Sequence, residues 1–278
     1  MNLSVVIASH QDPLGLYLTT FAIIEQLSKT DLNWEIVIAA DGGSEYKWEK
    51  QPNVRCLRIR TGSPQGTRDA GIRAAKYNDV LCIESHVIVS DIERFLLAHV
   101  ALNGAMTFPA RIGEGPEMFD VYGTETDFDG NLWFKKTLYQ VPNDQPYRVP
   151  QFGHSCFMID KKEYEAVGGY TDLLTGWGFE EPFLCLKFWM LGRTCWQVPS
   201  IWHAHFLDNR GAGTAMASEA FQKNAQIVKY VISGATPPGR VLALPPEIRA
   251  ERQRIMDGPF NGNLQELKNH MKSEGIIS

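Results

Sequence analysis

The segment from Val80 to His86 combines an apolar run with two side chains that can bind a metal ion. Its first four residues, Val-Leu-Cys-Ile, are typical of a buried β-strand. Glu84 and His86 follow at a spacing of two, so the alternation of side chains along a strand puts both on one side of its end. A carboxylate oxygen and an imidazole nitrogen placed together suit Mn²⁺ or a similar ion. Such a cation can bind a diphosphate.

The elements before and after this motif alternate between strand and helix. Apolar runs predict strands at 3–8, 34–40, 54–59 and 80–83, and helical spacing predicts helices at 16–27, 65–76 and 92–102. This order predicts an α/β fold with a mostly parallel, three-layer sheet. Ligands of such sheets bind beyond the carboxyl ends of the strands. Ser9, Asp41 and Glu84 all stand at such ends.

The second half of the chain is less regular. Residues 110–150 are rich in Gly, Pro, Asp and aromatic residues and predict an irregular or hairpin insertion over the site. Further strands are predicted at 105–108, 155–160 and 194–198, and helices at 161–167, 180–191 and 218–232. A Pro-rich linker is predicted at 233–246, followed by a charged, partly helical arm that could pack on a partner.

Composition restricts the class of protein. The chain has 278 residues, 44% hydrophobic and 21% charged, with a net charge of −5, which gives no indication of a general nucleic-acid surface. Its five cysteines form no close-spaced metal motif and indicate a reducing compartment. No stretch approaches the roughly 18 apolar residues of a membrane span, and the N-terminus reads as a strand, not a signal peptide. We therefore expect a cytoplasmic protein without a membrane span.

Four sequence blocks in a fixed order resemble a known family. They are residues 4–9, 35–44, 66–72 with the Glu84-Ser85-His86 element, and 168–205 with its Trp-Gly-Phe-Glu-Glu and His-Ala-His segments. Together they resemble the family 2 glycosyltransferases of the GT-A fold, and more closely the catalytic domain of the polypeptide N-acetylgalactosaminyltransferases. The resemblance implies a Rossmann-like α/β/α sandwich over 1–214, with a nucleotide-binding half at about 1–109 and an acceptor half at about 110–214. Residues 215–278 would form a C-terminal helical extension.

The resemblance also implies a metal site for Mn²⁺ or Mg²⁺. Glu84-x-His86 stands where the polypeptide transferases have Asp-x-His. The third ligand would be His203 or His205, and we favour His205 because Phe206 then matches the aromatic region after the family's ligand. The alternative is that Glu84 caps a helix and the histidines are polar core residues.

Other positions would bind the donor. Asp41 would accept a hydrogen bond from the uracil or ribose, although Asp-Gly-Gly is also typical of a turn. Arg68 would pair with the diphosphate, and Trp177 with Gly178 would form a floor for the sugar. Arg210, in a glycine-rich lid at 208–213, would reach the phosphates on closure. The remaining donor-site candidates are Ser9, Asp69 and Ser85.

Two acids and one histidine are the candidates for the transfer itself. Glu180 and Glu181 open a predicted helix, and at least one of them would face the sugar. In an inverting enzyme Glu181 would take the proton from the acceptor, whereas a retaining enzyme could use the leaving phosphate. His154 could line the acceptor pocket.

The expected activity is therefore transfer of a sugar from a nucleotide-diphosphate donor, most simply a UDP-sugar, to a hydroxyl acceptor. The resemblance favours retention slightly over inversion. The acceptor class stays open between a glycan, a peptide, a metabolite and a modified nucleobase, and the C-terminal arm could form a homo-oligomer. The alternatives are a non-catalytic nucleotide-sugar-binding relative and a sugar nucleotidyltransferase.

Overall fold

The structure is a computed structural model. It describes residues 1–42, 51–103, 105–112, 123–130, 132–138, 144–171, 173–206, 218–235 and 245–277. The strands in these ranges are β1 (Asn2–His10), β2 (Asn33–Asp41), β3 (Val54–Ile59), β4 (Asp79–Glu84), β5 (Val87–Val89), β6 (Met106–Ile112), β7 (Gly123–Thr126), β8 (Phe134–Leu138), β9 (Tyr147–Arg148), β10 (Cys156–Asp160) and β11 (Cys195–His205). The helices are α1 (Pro13–Leu27), α2 (Pro64–Ala74), α3 (Ile92–Ala101), α4 (Lys161–Ala166), α5 (Glu180–Met190), α6 (Glu219–Ser233), α7 (Pro246–Met256) and α8 (Leu264–Ser273).

One large sheet carries the fold. Its strands follow the order β3-β2-β1-β4-β10-β6-β11-β5, and β9 pairs with β11. The first four strands of this order run parallel, as does β6 with β11. However, β10 is antiparallel to both neighbours, and β5 and β9 are antiparallel to β11. The sheet is therefore mixed, and the expected mostly parallel arrangement holds for its N-terminal half.

Helices cover both faces of this sheet and make three layers. Along β1, Val5 and Ile7 belong to one hydrophobic cluster together with residues of α1 and α3, whereas Val6 belongs to a second cluster with residues of α2 and α5. This alternation is the period of two that a strand buried on both faces requires. The parallel strands end at one edge, where β1, β2 and β4 deliver their last residues.

The described part of the C-terminal extension packs on the second cluster. Buried side chains of α6, α7 and α8, including Val228, Ile255 and Leu267, are members of it. Lys187 of α5, whose side chain is 0% exposed, lies 2.6 Å from the Glu251 carboxylate of α7. The predicted boundary at 214/215 and the middle of the predicted linker, 236–244, lie outside the described residues.

Candidate functional site

Three side chains converge at the edge of the sheet. The Glu84 Oε2 atom lies 3.2 Å from His86 Nε2 and 2.9 Å from His205 Nε2. One ligand atom from each of the three residues lies within 4.8 Å of the others. An oxygen and two imidazole nitrogens form a donor set that suits Mn²⁺ and related cations. The structure thus brings together the acid and histidine of the Glu-x-His element with the favoured third histidine.

Strand pairing explains this convergence over a long sequence distance. Glu84 is the last residue of β4, and β5 begins three residues after it at Val87. Because β5 pairs antiparallel with β11, Val87 stands opposite His205. The Phe206 amide also donates to the His86 carbonyl, at 2.9 Å. The end of β11 is therefore held against the Glu84–His86 turn.

The charges of the cluster are mutually stabilising. Although burial raises the pKa of Glu84, hydrogen bonds from His205 and His86 and the charge of Arg68 lower it well below its usual value. Burial lowers the pKa of His86, but the Glu84 and Asp12 carboxylates outweigh this and raise it. Arg68 itself is buried and forms a hydrogen-bonded ion pair with Glu84. The Arg68 guanidinium and one ring nitrogen from each of the two histidines thus surround the Glu84 carboxylate.

His203 is not part of this cluster. It is buried, and its Nε2 lies 3.0 Å from the hydroxyl of Ser155, the residue before β10. Burial, with lesser contributions from His205 and Arg111, lowers the pKa of His203 to about 3. The interpretation of His203 as a metal ligand is therefore wrong, and it is a neutral core histidine.

A pocket of about 240 Å³ adjoins the cluster. Its lining includes Ser9, Asp41, Arg68, Ser85 and His86, all predicted as site residues. The Ser9 hydroxyl and the Arg68 Nε are buried and have no hydrogen-bond partner within the described residues. Because buried polar groups are normally paired, these two donors fit a polar ligand such as a phosphate or a sugar hydroxyl.

Asp41 organises the wall of this pocket. Its carboxylate accepts bonds from the Thr61 and Gly62 amides, at 3.2 and 2.8 Å, and from the Thr61 hydroxyl, at 3.0 Å. These bonds hold the loop between β3 and α2 against the end of β2. The partners of Asp41 thus come from the loop after the next strand, and the turn predicted after Asp41 lies from residue 43 onward outside the described residues. Among the described residues, the Asp41 Oδ1 atom accepts one hydrogen bond, from the Thr61 amide, so it retains capacity for a nucleoside donor.

Glu180 and Glu181 are delivered by a strained turn. Gly178 has φ +108° and Phe179, a non-glycine residue, has φ +69°. The Glu180 carboxylate accepts the Gly178 amide at 2.8 Å and lies 3.7 Å from Arg68. Burial raises the pKa of Glu180, and burial with the charge of Glu180 raises the pKa of Glu181 to about 8.

Two predicted site residues, Asp69 and His154, have other surroundings than a ligand pocket. The Asp69 carboxylate binds the Tyr164 hydroxyl and Arg73, and it does not line the pocket. Both ring nitrogens of the fully buried His154 are engaged, by Tyr170 and Cys185, so its side chain does not line an acceptor pocket. Its backbone amide, however, donates to Glu181 at 3.2 Å.

Trp177, predicted as part of a floor for the sugar, packs against aromatic side chains. Its ring stacks on Phe221 of α6 with centroids 6.0 Å apart, and Trp133 contacts it edge-on at 6.0 Å. A Cβ at Gly178 would lie 2.3 Å from the Phe221 ring. This segment therefore docks the C-terminal extension. Arg210 and its predicted lid lie outside the described residues.

One residue of the site was missed from the sequence. Asp12 contacts both Ser85 and His86, each at 3.0 Å. Its local signal was visible, because Asp followed by Pro is typical of a helix N-terminus. That signal predicts the helix start but gives no information about contacts more than 70 residues away.

Comparisons with known proteins agree with the motifs. No family model matches the chain. It is 25% identical over 224 residues to N-acetylgalactosaminyltransferase 7 of Drosophila melanogaster, covering 70% of this chain and 38% of that protein. It is 27% identical over 228 residues to N-acetylgalactosaminyltransferase 4 of the same organism, covering 73% of this chain and 35% of that protein. The chain thus spans little more than a third of these curated relatives.

Solved structures share the fold. The crystal structure of GalNAc-T7 with UDP, GalNAc and Mn²⁺ superposes with a TM-score of 0.74 at 19% identity, covering 99% of this chain and 57% of that chain. S. aureus TarS 1-349 gives a TM-score of 0.57 at 12% identity, covering 98% of this chain and 72% of that chain. The chain has the GT-A fold of glycosyltransferases. The polypeptide N-acetylgalactosaminyltransferases are the proteins that it resembles in sequence, as its motifs predicted.

Proposed function

We propose that this chain is a metal-dependent glycosyltransferase that uses a UDP-sugar donor and a hydroxyl acceptor. The observation that carries this proposal is the Glu84–His86–His205 cluster beside a polar pocket at the carboxyl edge of the sheet. Support comes from the relatives, which are named N-acetylgalactosaminyltransferases, and from a structural neighbour whose crystal contains UDP, GalNAc and Mn²⁺. An N-acetylhexosamine is therefore the first sugar to test.

The three cluster residues would hold Mn²⁺ or a similar ion, which supplies positive charge for the departing diphosphate. Arg68 adds a second positive charge from the α2 side, with its Nε free to donate. Asp41 would accept a hydrogen bond from the nucleoside, and the Ser9 hydroxyl would donate one to the nucleoside. The Glu180 carboxylate lies 3.7 Å from the Arg68 guanidinium and helps to hold it in place.

The anomeric outcome that we propose is retention. Glu181 is the residue that an inverting reaction would use as its base, but its carboxylate accepts the His154 amide at 3.2 Å and does not line the pocket beside the cluster. It is therefore not placed to take the acceptor's proton. In the retaining reaction the leaving phosphate takes that proton, and no side chain is needed for this step.

The test is UDP release from a panel of UDP-sugars, with Mn²⁺ and with EDTA, beginning with UDP-N-acetylgalactosamine. His205→Ala should abolish release, whereas His203→Ala, on the same strand but outside the cluster, should retain it in the folded fraction. Binding of the donor without any turnover, with a panel of acceptors present, would identify a non-catalytic relative. Failure of UDP-sugars to bind would overturn the proposal.

Three further expectations remain proposals. The acceptor class stays open between a glycan, a peptide, a metabolite and a modified nucleobase. Formation of a homo-oligomer through the C-terminal extension and a cytoplasmic location also stay predictions. In the described part of the chain, no helix is long and apolar enough to cross a membrane.

A further inference from the structure

Asp12 contacts His86, one of the three residues of the metal cluster. It is the residue before α1, and its Oδ1 accepts the Gly15 amide at 3.0 Å as an N-cap. Its Oδ2 lies 3.0 Å from His86 Nδ1 and also accepts the Ser85 hydroxyl at 3.0 Å. The same carboxylate therefore begins the helix and contacts the turn that carries the metal ligand.

This contact decides which nitrogen of His86 faces the cluster. A carboxylate can only accept, so Asp12 favours a proton on the nitrogen next to it, Nδ1. The opposite nitrogen, Nε2, is the one 3.2 Å from Glu84 and grouped with His205. In a neutral ring with Nδ1–H held by a carboxylate, the lone pair lies on Nε2, where a ligand is needed.

The surrounding backbone is built to admit this carboxylate. A Cβ at position 15 would lie 2.2 Å from Asp12 Oδ2 and 2.8 Å from the Ser85 carbonyl, so only glycine leaves the space between α1 and the turn. The Thr19 hydroxyl, one turn further along α1, lies 2.9 and 3.0 Å from the Ser85 and Val87 carbonyls, which share its one proton, and it accepts the Val87 amide at 3.1 Å. The first turns of α1 thus fix the position of residues 85–87.

We propose that Asp12 is a positioning residue for the metal site: it holds His86 with Nδ1 protonated and Nε2 directed at the cation. Gly15 is required because it gives the carboxylate room. The inference rests on the proposed function, since it assumes that the cluster binds a divalent cation.

Asp12→Asn is the sharpest variant. Asparagine caps helices about as well as aspartate, so its carbonyl oxygen can keep the Gly15 amide. Its NH₂ group then faces His86 Nδ1 and Ser85, and donates where the carboxylate accepted. This reverses the preferred tautomer of His86 and places the proton on Nε2, the atom that should bind the metal.

The measurement is the Mn²⁺ dissociation constant of the full chain, from the EPR signal of free Mn²⁺. Loss of a partner of this kind weakens metal binding about 10- to 100-fold, and we expect that loss for Asp12→Asn and for Gly15→Ala. The matched control is Asp91→Ala, since Asp91 caps α3 in the same way, through the Arg94 amide at 2.9 Å. That variant should lose a cap but leave the Mn²⁺ dissociation constant within twofold of wild type.

A second readout does not need metal. In ¹⁵N-detected spectra of His86, above the pH at which the ring loses its charge, the fraction of the ring that is protonated on Nδ1 should be larger in wild type than in Asp12→Asn. His86→Ala separates the possible failures. If it loses Mn²⁺ while Asp12→Asn and Gly15→Ala bind as tightly as wild type, Asp12 does not position the ligand. If wild type itself binds no Mn²⁺, the metal site and this inference both fall.

Discussion

Replacement of Arg68 by methionine tests the buried charge network under the site. Arg68 and Arg73 both lie on α2, and each forms an ion pair with a carboxylate. The Arg68 side chain is 3% exposed, whereas that of Arg73 is 47% exposed. Methionine keeps most of the side-chain volume and has a good helix propensity in both places. The two substitutions therefore differ mainly in the burial of the charge that they remove.

The expected costs differ several-fold. Arg68→Met leaves Glu180, 2% exposed, without its cation, and leaves Glu84 with histidines alone. Removing one partner of a buried ion pair costs about 3–5 kcal/mol, whereas the exposed helix pair of Arg73 is worth less than about 1 kcal/mol. At roughly 2–4 °C per kcal/mol for a chain near this size, Arg68→Met should lower Tm by roughly 6–20 °C.

Urea unfolding followed by tryptophan fluorescence gives both free energies, and thermal unfolding gives both Tm values. We expect a large loss of unfolding free energy for Arg68→Met and a small one for Arg73→Met. Equal losses in the two variants would refute it, because burial would then not determine the cost.

Three other predictions concern the rest of the domain. Glu251→Leu leaves the buried Lys187 ammonium without its carboxylate and should cost about 3–5 kcal/mol in urea unfolding, and Lys187→Met in the same chain should restore most of it; no restoration would argue against the pair. Gly178→Ala forces an L-residue to φ +108° and a Cβ against Phe221, so strain and overpacking should together cost about 2–6 kcal/mol in the same assay; a cost below about 1 kcal/mol would contradict this conformation. Because the pKa of Glu181 rises from 4.5 to about 8 on folding, the folded chain binds more protons between these values, and its stability should fall as pH rises through that window. Glu181→Gln should flatten this slope in unfolding measured at several pH values, and an unchanged slope would show that the acid is not perturbed.

Local patterns predicted the elements of the fold well. The strand before Glu84 and the helices 16–27 and 92–102 were recognisable because apolar periodicity follows directly from burial on one or both faces. In contrast, β5 has only three residues and exists through its pairing with β11. A strand so short has no periodicity to detect. The antiparallel direction of β10 was likewise not predictable, because strand direction depends on the path of the whole chain and not on the local sequence.

Site residues were predictable where one strand end determined them. Glu84 and His86 are such a case. The direction of Asp69, away from the pocket that Arg68 lines, follows from the helix, because neighbours on a helix face different directions. The surroundings of His154 and Trp177 were not predictable, because their partners, Tyr170, Cys185 and Phe221, come from separate elements. A polar or aromatic side chain near a strand looks the same in sequence whether it faces a pocket or the core.

The most direct test of the central claim is diffraction from crystals of the chain grown with UDP and Mn²⁺, recorded at the manganese absorption edge. The account predicts one anomalous peak between Glu84, His86 and His205, with the diphosphate beside it and the nucleoside in the pocket next to Asp41. A peak at another place, or UDP bound at this pocket in Mn²⁺-containing crystals with no peak at the cluster, would contradict a metal-dependent transferase built on these residues.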